Sequence, residues 1–378
     1  MKNICIVNEG FGMGGVERVA IQLANSFQQF GINTSLIDFS AKNQFYYDID
    51  NQIKVPHVIN PRKIKRKIVY KLHEAKYKIN NKPLEVYFLY KEQTNDLINY
   101  LKESQCDILI LCQGILTALI PNIKKALPNI KIVAWQHNDF DIYTKNYYQN
   151  ILDDYFRGLK SADLVVCLTE EDMQKFKSYN SNSCYIYNPL TLNNPKISNL
   201  DNKNIIFVGR LVIKQKGLDY LIEIAKSLEP GWRILVAGAG SDKEIFENMI
   251  QDNNLVDRVV LKGSLSESEL ADFYSSGSIF ISTSRWEGFG LVLTEAMATG
   301  LPVVSFSNHG PTEILKDGMY GVLVENYDIS KFSNELKELM LFKEKREKLQ
   351  QYSIERAADF SSRIILKEWI NKLRLLED

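Results

Sequence analysis

The chain has no surplus of either charge, because its 46 lysine and arginine residues equal its 46 aspartates and glutamates. A molecule without net charge projects no long-range field to gather a polyanion, which argues against a nucleic-acid binder. It also has no run of roughly eighteen apolar residues free of charge, the least that a spanning helix needs. Its opening, "MKNICIVNEG", goes directly into a short apolar strand and shows no long apolar leader region. The expectation is a soluble, cytoplasmic protein. Cysteine is scarce and odd in number: Cys5, Cys106, Cys112, Cys167 and Cys184 include no C-x-x-C pair. Set mostly in apolar runs, they read as reduced core residues rather than metal ligands or redox groups. Internal repeats and low-complexity tracts are missing as well.

What is present is an alternation. At 378 residues and 45% hydrophobic, the chain is long enough for two cores. Strand-like "NICIVNE", "TSLIDF", "CDILILC", "KIVAWQ" and "ADLVVCLT" are separated by helical stretches, the first of them "VERVAIQLANSFQQFG". After the Asn- and Pro-rich "YNPLTLNNPKISNLDNKN" the rhythm restarts with "NIIFVGR", "RILVAGAG", "RVVLKG", "SIFIST" and "PVVSF". Strands alternating with helices predict parallel sheets with crossover helices, hence two doubly wound α/β domains. The boundaries read as 1–188, a linker at 189–203, 204–358, and an amphipathic tail helix over 359–378.

Chemistry is expected at the carboxyl ends of the strands, where free amides at helix starts face a ligand. "GFGMGGVERVA" offers Gly14 and Gly15 there, although its spacing fits neither G-x-G-x-x-G nor a P-loop. A tight turn without a ligand is the competing reading. In "GRLVIKQKG", Arg210 ends a strand and Lys216 precedes a helix, and two such cations suit a diphosphate. "AGAGS" and "LKGSL", the latter with Gly263, leave the same edge and could line a slot for a flat heterocycle.

"SRWEGFGLVLTEA" then places Glu287 and Glu295 eight positions apart around a glycine turn, Gly288, Phe289, Gly290 and Leu291. In continuous helix the two acids would be about 12 Å apart at 1.5 Å per residue. A retaining glycosidase needs its pair within about 5.5 Å and an inverting one within about 9.5 Å. The spacing better suits two contacts at opposite ends of one extended ligand.

Taken together, "GRL" with "KG", the E-x7-E stretch, "GLPVVSF" and "GPTEILKDGMYGVLV" resemble family 4 retaining glycosyltransferases of the GT-B fold. The likeness is close over most of residues 201–330 and loose in the first half. It implies two Rossmann-like domains facing a central cleft, with the C-terminal helix crossing back to the N-terminal domain. It implies transfer of a hexose or N-acetylhexosamine from a nucleotide sugar, UDP being favoured, to a saccharide or lipid-linked glycan of bacterial polysaccharide, lipopolysaccharide or capsule. By position, Arg210 and Lys216 would bind the donor diphosphate, Glu287 the sugar hydroxyls and Glu295 the ribose diol. The 288–291 backbone would cradle sugar and phosphates. His137, in "AWQHND", would lie beside the transferred sugar. No cofactor and no metal are expected, and the triplets "DFD" (139–141) and "DID" (48–50) read as chance pairs of acids. An inactive sugar-nucleotide-binding module, or a phosphorylase or hydrolase on the same fold, is the alternative. Residues 62–82 carry nine Lys or Arg against one Glu, which would hold a peripheral enzyme on an anionic membrane.

Overall fold

The computed structural model describes residues 3–60 and 85–377, with positions 68, 71, 72, 75 and 79 between them. The basic segment 62–82 lies outside the described residues apart from those five positions. Two compact units result, Met1–Pro189 with Ser362–Asp378, and Leu190–Ser361.

In the first unit the strands are β1 (Asn3–Asn8), β2 (Asn33–Asp38), β3 (Ile108–Cys112), β4 (Lys131–Trp135), β5 (Leu164–Cys167) and β6 (Ser183–Tyr185). Among the described residues they form one parallel sheet in the order β2-β1-β3-β4-β5-β6. All five residues of β3 are buried, as expected of a central strand covered by helices on both faces. The helix Gly15–Gln29 buries Val19, Ala20, Leu23 and Phe27 on one side, at helical spacing. Against Phe27 lies Trp369 of the tail helix Ser362–Arg374, with ring centroids 6.4 Å apart, and Trp369 in turn meets Trp135 at 4.9 Å. A buried tryptophan removes about 200 Å² from water, so this ring anchors the tail helix to its unit. The five cysteines are free thiols, all but Cys106 buried. Burial raises the thiols of Cys112 and Cys167, which keeps them protonated and inert.

The second unit repeats the plan with β7 (Asn204–Val208), β8 (Arg233–Ala237), β9 (Val259–Gly263), β10 (Ile279–Ser282), β11 (Val303–Phe306) and β12 (Val322–Val324). Their order is β12-β11-β10-β7-β8-β9, again parallel. The stretch read as a linker packs largely onto this unit. Leu192 and Leu200 are buried, Arg346 donates to the Leu200 carbonyl at 3.1 Å, and Gln350 donates to that of Ser198 at 2.8 Å. The segment lacks apolar periodicity because long polar side chains satisfy its backbone, not a ladder or a helix.

Candidate functional site

The neighbouring strands β7 and β10 each run into a loop at the carboxyl edge of the second sheet, and glycine lets the two loop backbones meet. After β7 the chain makes one turn of helix, Ile213–Lys216, and ends it at Gly217 in the left-handed region (φ 61°). A Cβ there would stand 2.1 Å from the carbonyl oxygen of Thr283, so the close approach requires glycine. Thr283 donates its hydroxyl to the Lys216 carbonyl at 2.7 Å. Arg285 completes the junction. Its amide donates to the Gln215 carbonyl at 2.8 Å, and its guanidinium forks onto Asp219 at 2.9 and 2.5 Å above the Tyr220 ring.

This junction aims Lys216 at Glu287. The ammonium and carboxylate are 2.5 Å apart, with side chains only 9% and 17% exposed, and Ser284 adds a hydroxyl to the same carboxylate oxygen at 3.2 Å. Arg210 is exposed and donates to Gln215 at 3.3 Å, at the mouth of the loop. Lys216 and Glu287 are thus brought together, while the hydrogen bond that Arg210 gives goes to Gln215.

Beyond Glu287 the turn through Gly288 and Gly290 (φ 108°) opens the helix Leu291–Ala298. Gly310 presses against it: a Cβ at that position would be 2.1 Å from the Phe289 carbonyl oxygen. The Gly310 amide donates to the Glu287 carbonyl at 3.2 Å, and the Asn308 side chain donates to that of Ser284 at 2.9 Å. Phe289 is buried against Phe360, so its backbone, not its ring, is what the turn offers. The first-turn amides of such a helix have no acceptor within it and carry its positive dipole end.

Glu295, a little over one turn into that helix, is 1% exposed. Thr191 donates to its Oε1 at 2.5 Å and Tyr274 to its Oε2 at 2.8 Å. Each acid therefore has its own partners. Gly263, at the end of β9, has open space around it and accepts from the Gly238 amide at 2.8 Å.

In the first unit, Gly14 precedes the helix Gly15–Gln29, whose first turn holds Glu17. The Glu17 carboxylate lies against Gly14 and already supplies negative charge to those amides. His137 follows β4 and is buried, with neither ring nitrogen hydrogen-bonded among the described residues. Burial lowers its pKa to about 3, so the imidazole is neutral at physiological pH. Its ring centroid is 4.2 Å from that of Trp135, and its amide donates to the Tyr143 hydroxyl at 3.1 Å. The acidic triplets have local duties. Asp139 caps a helix by accepting from the amides of Asp141 and Ile142, Asp141 pairs with Lys145 and Lys175, and Asp50 accepts from the Gln52 amide.

Sequence reasoning missed Ser284, Asn308, Thr191 and Tyr274. Ser284 carries a local signal, a hydroxyl three residues before Glu287 in the same loop. The others reach the site only through the fold, with no local signal.

Two family models match the chain: Glycosyltransferase Family 4 over residues 13–193 and Glycosyl transferases group 1 over residues 191–356. An uncharacterized glycosyltransferase of Haemophilus influenzae is 29% identical over 373 residues, covering 96% of this chain and 97% of that protein. An amylovoran biosynthesis glycosyltransferase of Erwinia amylovora is 24% identical, with 98% and 99% covered. Among solved structures, HepE of Anabaena in complex with UDP has the same fold, with a TM-score of 0.77, 17% identity, and 99% and 100% of the two chains covered.

Proposed function

Since the chain belongs to the family 4 glycosyltransferases of the GT-B fold, matched through both of its halves, we propose that it moves a hexose or N-acetylhexosamine from a UDP-sugar to a saccharide or lipid-linked glycan. The relatives' roles favour bacterial polysaccharide as the product, and the UDP held by a structural neighbour favours that nucleotide. The observation that carries the reading is the Lys216–Glu287 pair beside the start of the helix Leu291–Ala298. It sets a cation for phosphate next to an acceptor for sugar hydroxyls, which is what the junction of sugar and diphosphate needs.

In this reading Glu287 holds the sugar hydroxyls and Glu295 the ribose diol. Lys216, Arg210 and the amides of the 288–291 turn take up charge as the anomeric C–O bond breaks and the diphosphate leaves. The acceptor hydroxyl attacks from the same face with retention, its proton passing to the departing diphosphate. No metal and no carboxylate nucleophile are required. Neutral His137 can exchange hydrogen bonds with a sugar hydroxyl without adding charge, and Gly263 borders the slot for the base. The glycine pair Gly14 and Gly15, with Glu17 beside it, suits hydroxyls better than phosphate. A cytoplasmic enzyme lying on the inner membrane face through residues 62–82 completes the proposal.

Incubation with a panel of UDP-sugars, with free UDP measured with and without lipid-linked acceptor, tests it. Acceptor-dependent UDP release is expected. Release independent of acceptor would make the protein a hydrolase, and donor binding without release would make it a binding module.

A further inference from the structure

Glu295 poses a problem for the donor reading on which this inference rests. Its carboxylate is almost fully enclosed, and each oxygen already accepts a hydroxyl, one from Thr191 and one from Tyr274. Two hydroxyls delivered to the two oxygens of one carboxylate reproduce the chemistry by which a carboxylate takes a vicinal diol. The residue is 1% exposed, so a ribose can reach its carboxylate only if a group that covers it moves aside.

The two groups differ in how easily they could do so. Tyr274 belongs to the helix Glu267–Ser275, is 0% exposed, and packs its ring 6.1 Å from that of Phe280. Moving its hydroxyl means moving an enclosed ring through close-packed neighbours. Thr191 lies in the irregular stretch ahead of β7, outside any helix or strand. Thr191 is itself buried, at 3% exposed, but withdrawing its hydroxyl needs a χ1 rotation of a small side chain rather than the displacement of a ring.

We propose that Thr191 is an internal substitute for one ribose hydroxyl. In the free protein its Oγ1 occupies Oε1 of Glu295, and nucleotide binding exchanges it for the sugar hydroxyl. Tyr274 stays on Oε2 throughout and fixes the plane of the carboxylate, which makes it a positioning residue for nucleotide recognition. No covalent bond changes; one hydroxyl donor replaces another, so the buried carboxylate is never left unpartnered. Affinity for nucleotide is then the difference between two similar hydrogen bonds, and removing the internal one raises it. Removing this competing donor is expected to read out as several-fold to tenfold tighter binding.

Calorimetric titration of the full chain with UDP and with 2′-deoxy-UDP tests the assignment, on the wild type and on Thr191→Val, Thr191→Ser and Tyr274→Phe. The wild type is expected to prefer UDP over the deoxy compound by about tenfold. Thr191→Val should bind UDP several-fold more tightly, whereas Thr191→Ser, which keeps the hydroxyl, should match the wild type. Tyr274→Phe should bind UDP more weakly and lose most of its discrimination against 2′-deoxy-UDP. Thr191→Ala provides the same comparison if the valine variant does not fold. Unchanged or weaker UDP binding in the Thr191 variants that lack the hydroxyl would make Thr191 a plain strut and overturn the exchange. Discrimination kept in full by Tyr274→Phe would remove its positioning role. A wild type that binds both nucleotides equally would instead overturn the assignment of ribose to Glu295, and the exchange with it.

Discussion

Lys216 and Glu287, 71 positions apart in sequence, meet at 2.5 Å because Gly217 lets the Thr283 carbonyl come within reach of the preceding loop. The contact is mostly enclosed, so each charge depends on the other. Lys216→Ala should therefore destabilise the second unit by about 3 kcal/mol, since it leaves a carboxylate without its counter-charge in a poorly hydrated place. Lys216→Ala with Glu287→Gln should recover much of that loss. Urea unfolding of the wild type and the two variants measures both quantities.

Arg210→Ala should weaken UDP itself as well as the full donor, by about tenfold, because the exposed guanidinium is assigned to phosphate rather than sugar. Unchanged UDP affinity would move the phosphate site elsewhere.

Glu287→Gln should lower kcat far more than it changes donor affinity, since contacts to the sugar tighten as charge grows at the anomeric carbon. The product of the wild type, formed with EDTA present, should keep the donor's anomeric configuration by NMR. Inversion, loss of turnover in EDTA, or a sugar ester trapped on Glu287 would each contradict the mechanism.

His137 makes stability depend on pH. Its folded-state pKa of about 3 lies below the ordinary 6.5, so the unfolded chain takes up a proton that the folded one refuses. The first unit should then lose stability as pH falls from 6.5 toward 3, by up to about 1.4 kcal/mol per unit. Between pH 7.5 and 5.0, His137→Leu should lose about 2 kcal/mol less than the wild type in denaturant titrations.

Vesicles decide the membrane question. Co-sedimentation with anionic liposomes at low salt should exceed that with neutral ones, and should fall when Lys63, Lys65 and Lys67 become glutamine. Equal binding to both would sink the idea.

Much of this was legible because its signals are local. Strands of four to six residues such as β3 and β10 announce themselves as apolar runs, and the glycines of the E-x7-E turn mark a break before a helix. The edge strands β6 and β12, three residues each, are too short to show a period, and neither figured in the strand series. Glu287 and Lys216 could be named separately from their motifs. Their pairing could not, since it follows from the register of β10 against β7. Thr191 and Tyr274 left no trace at all, because what makes them matter is a carboxylate far along the chain.

The tail helix sets the order in which this chain can be finished on a ribosome. Residues 190–361 form the whole second unit, yet Trp369, which covers Trp135 and Phe27, is made only after that unit is complete. The second unit can close while the first still has an apolar face bare, so the half begun first is completed last. A chain stalled or clipped near Ser361 would carry one finished domain and one open one, a species prone to chaperone capture and aggregation through that uncovered face.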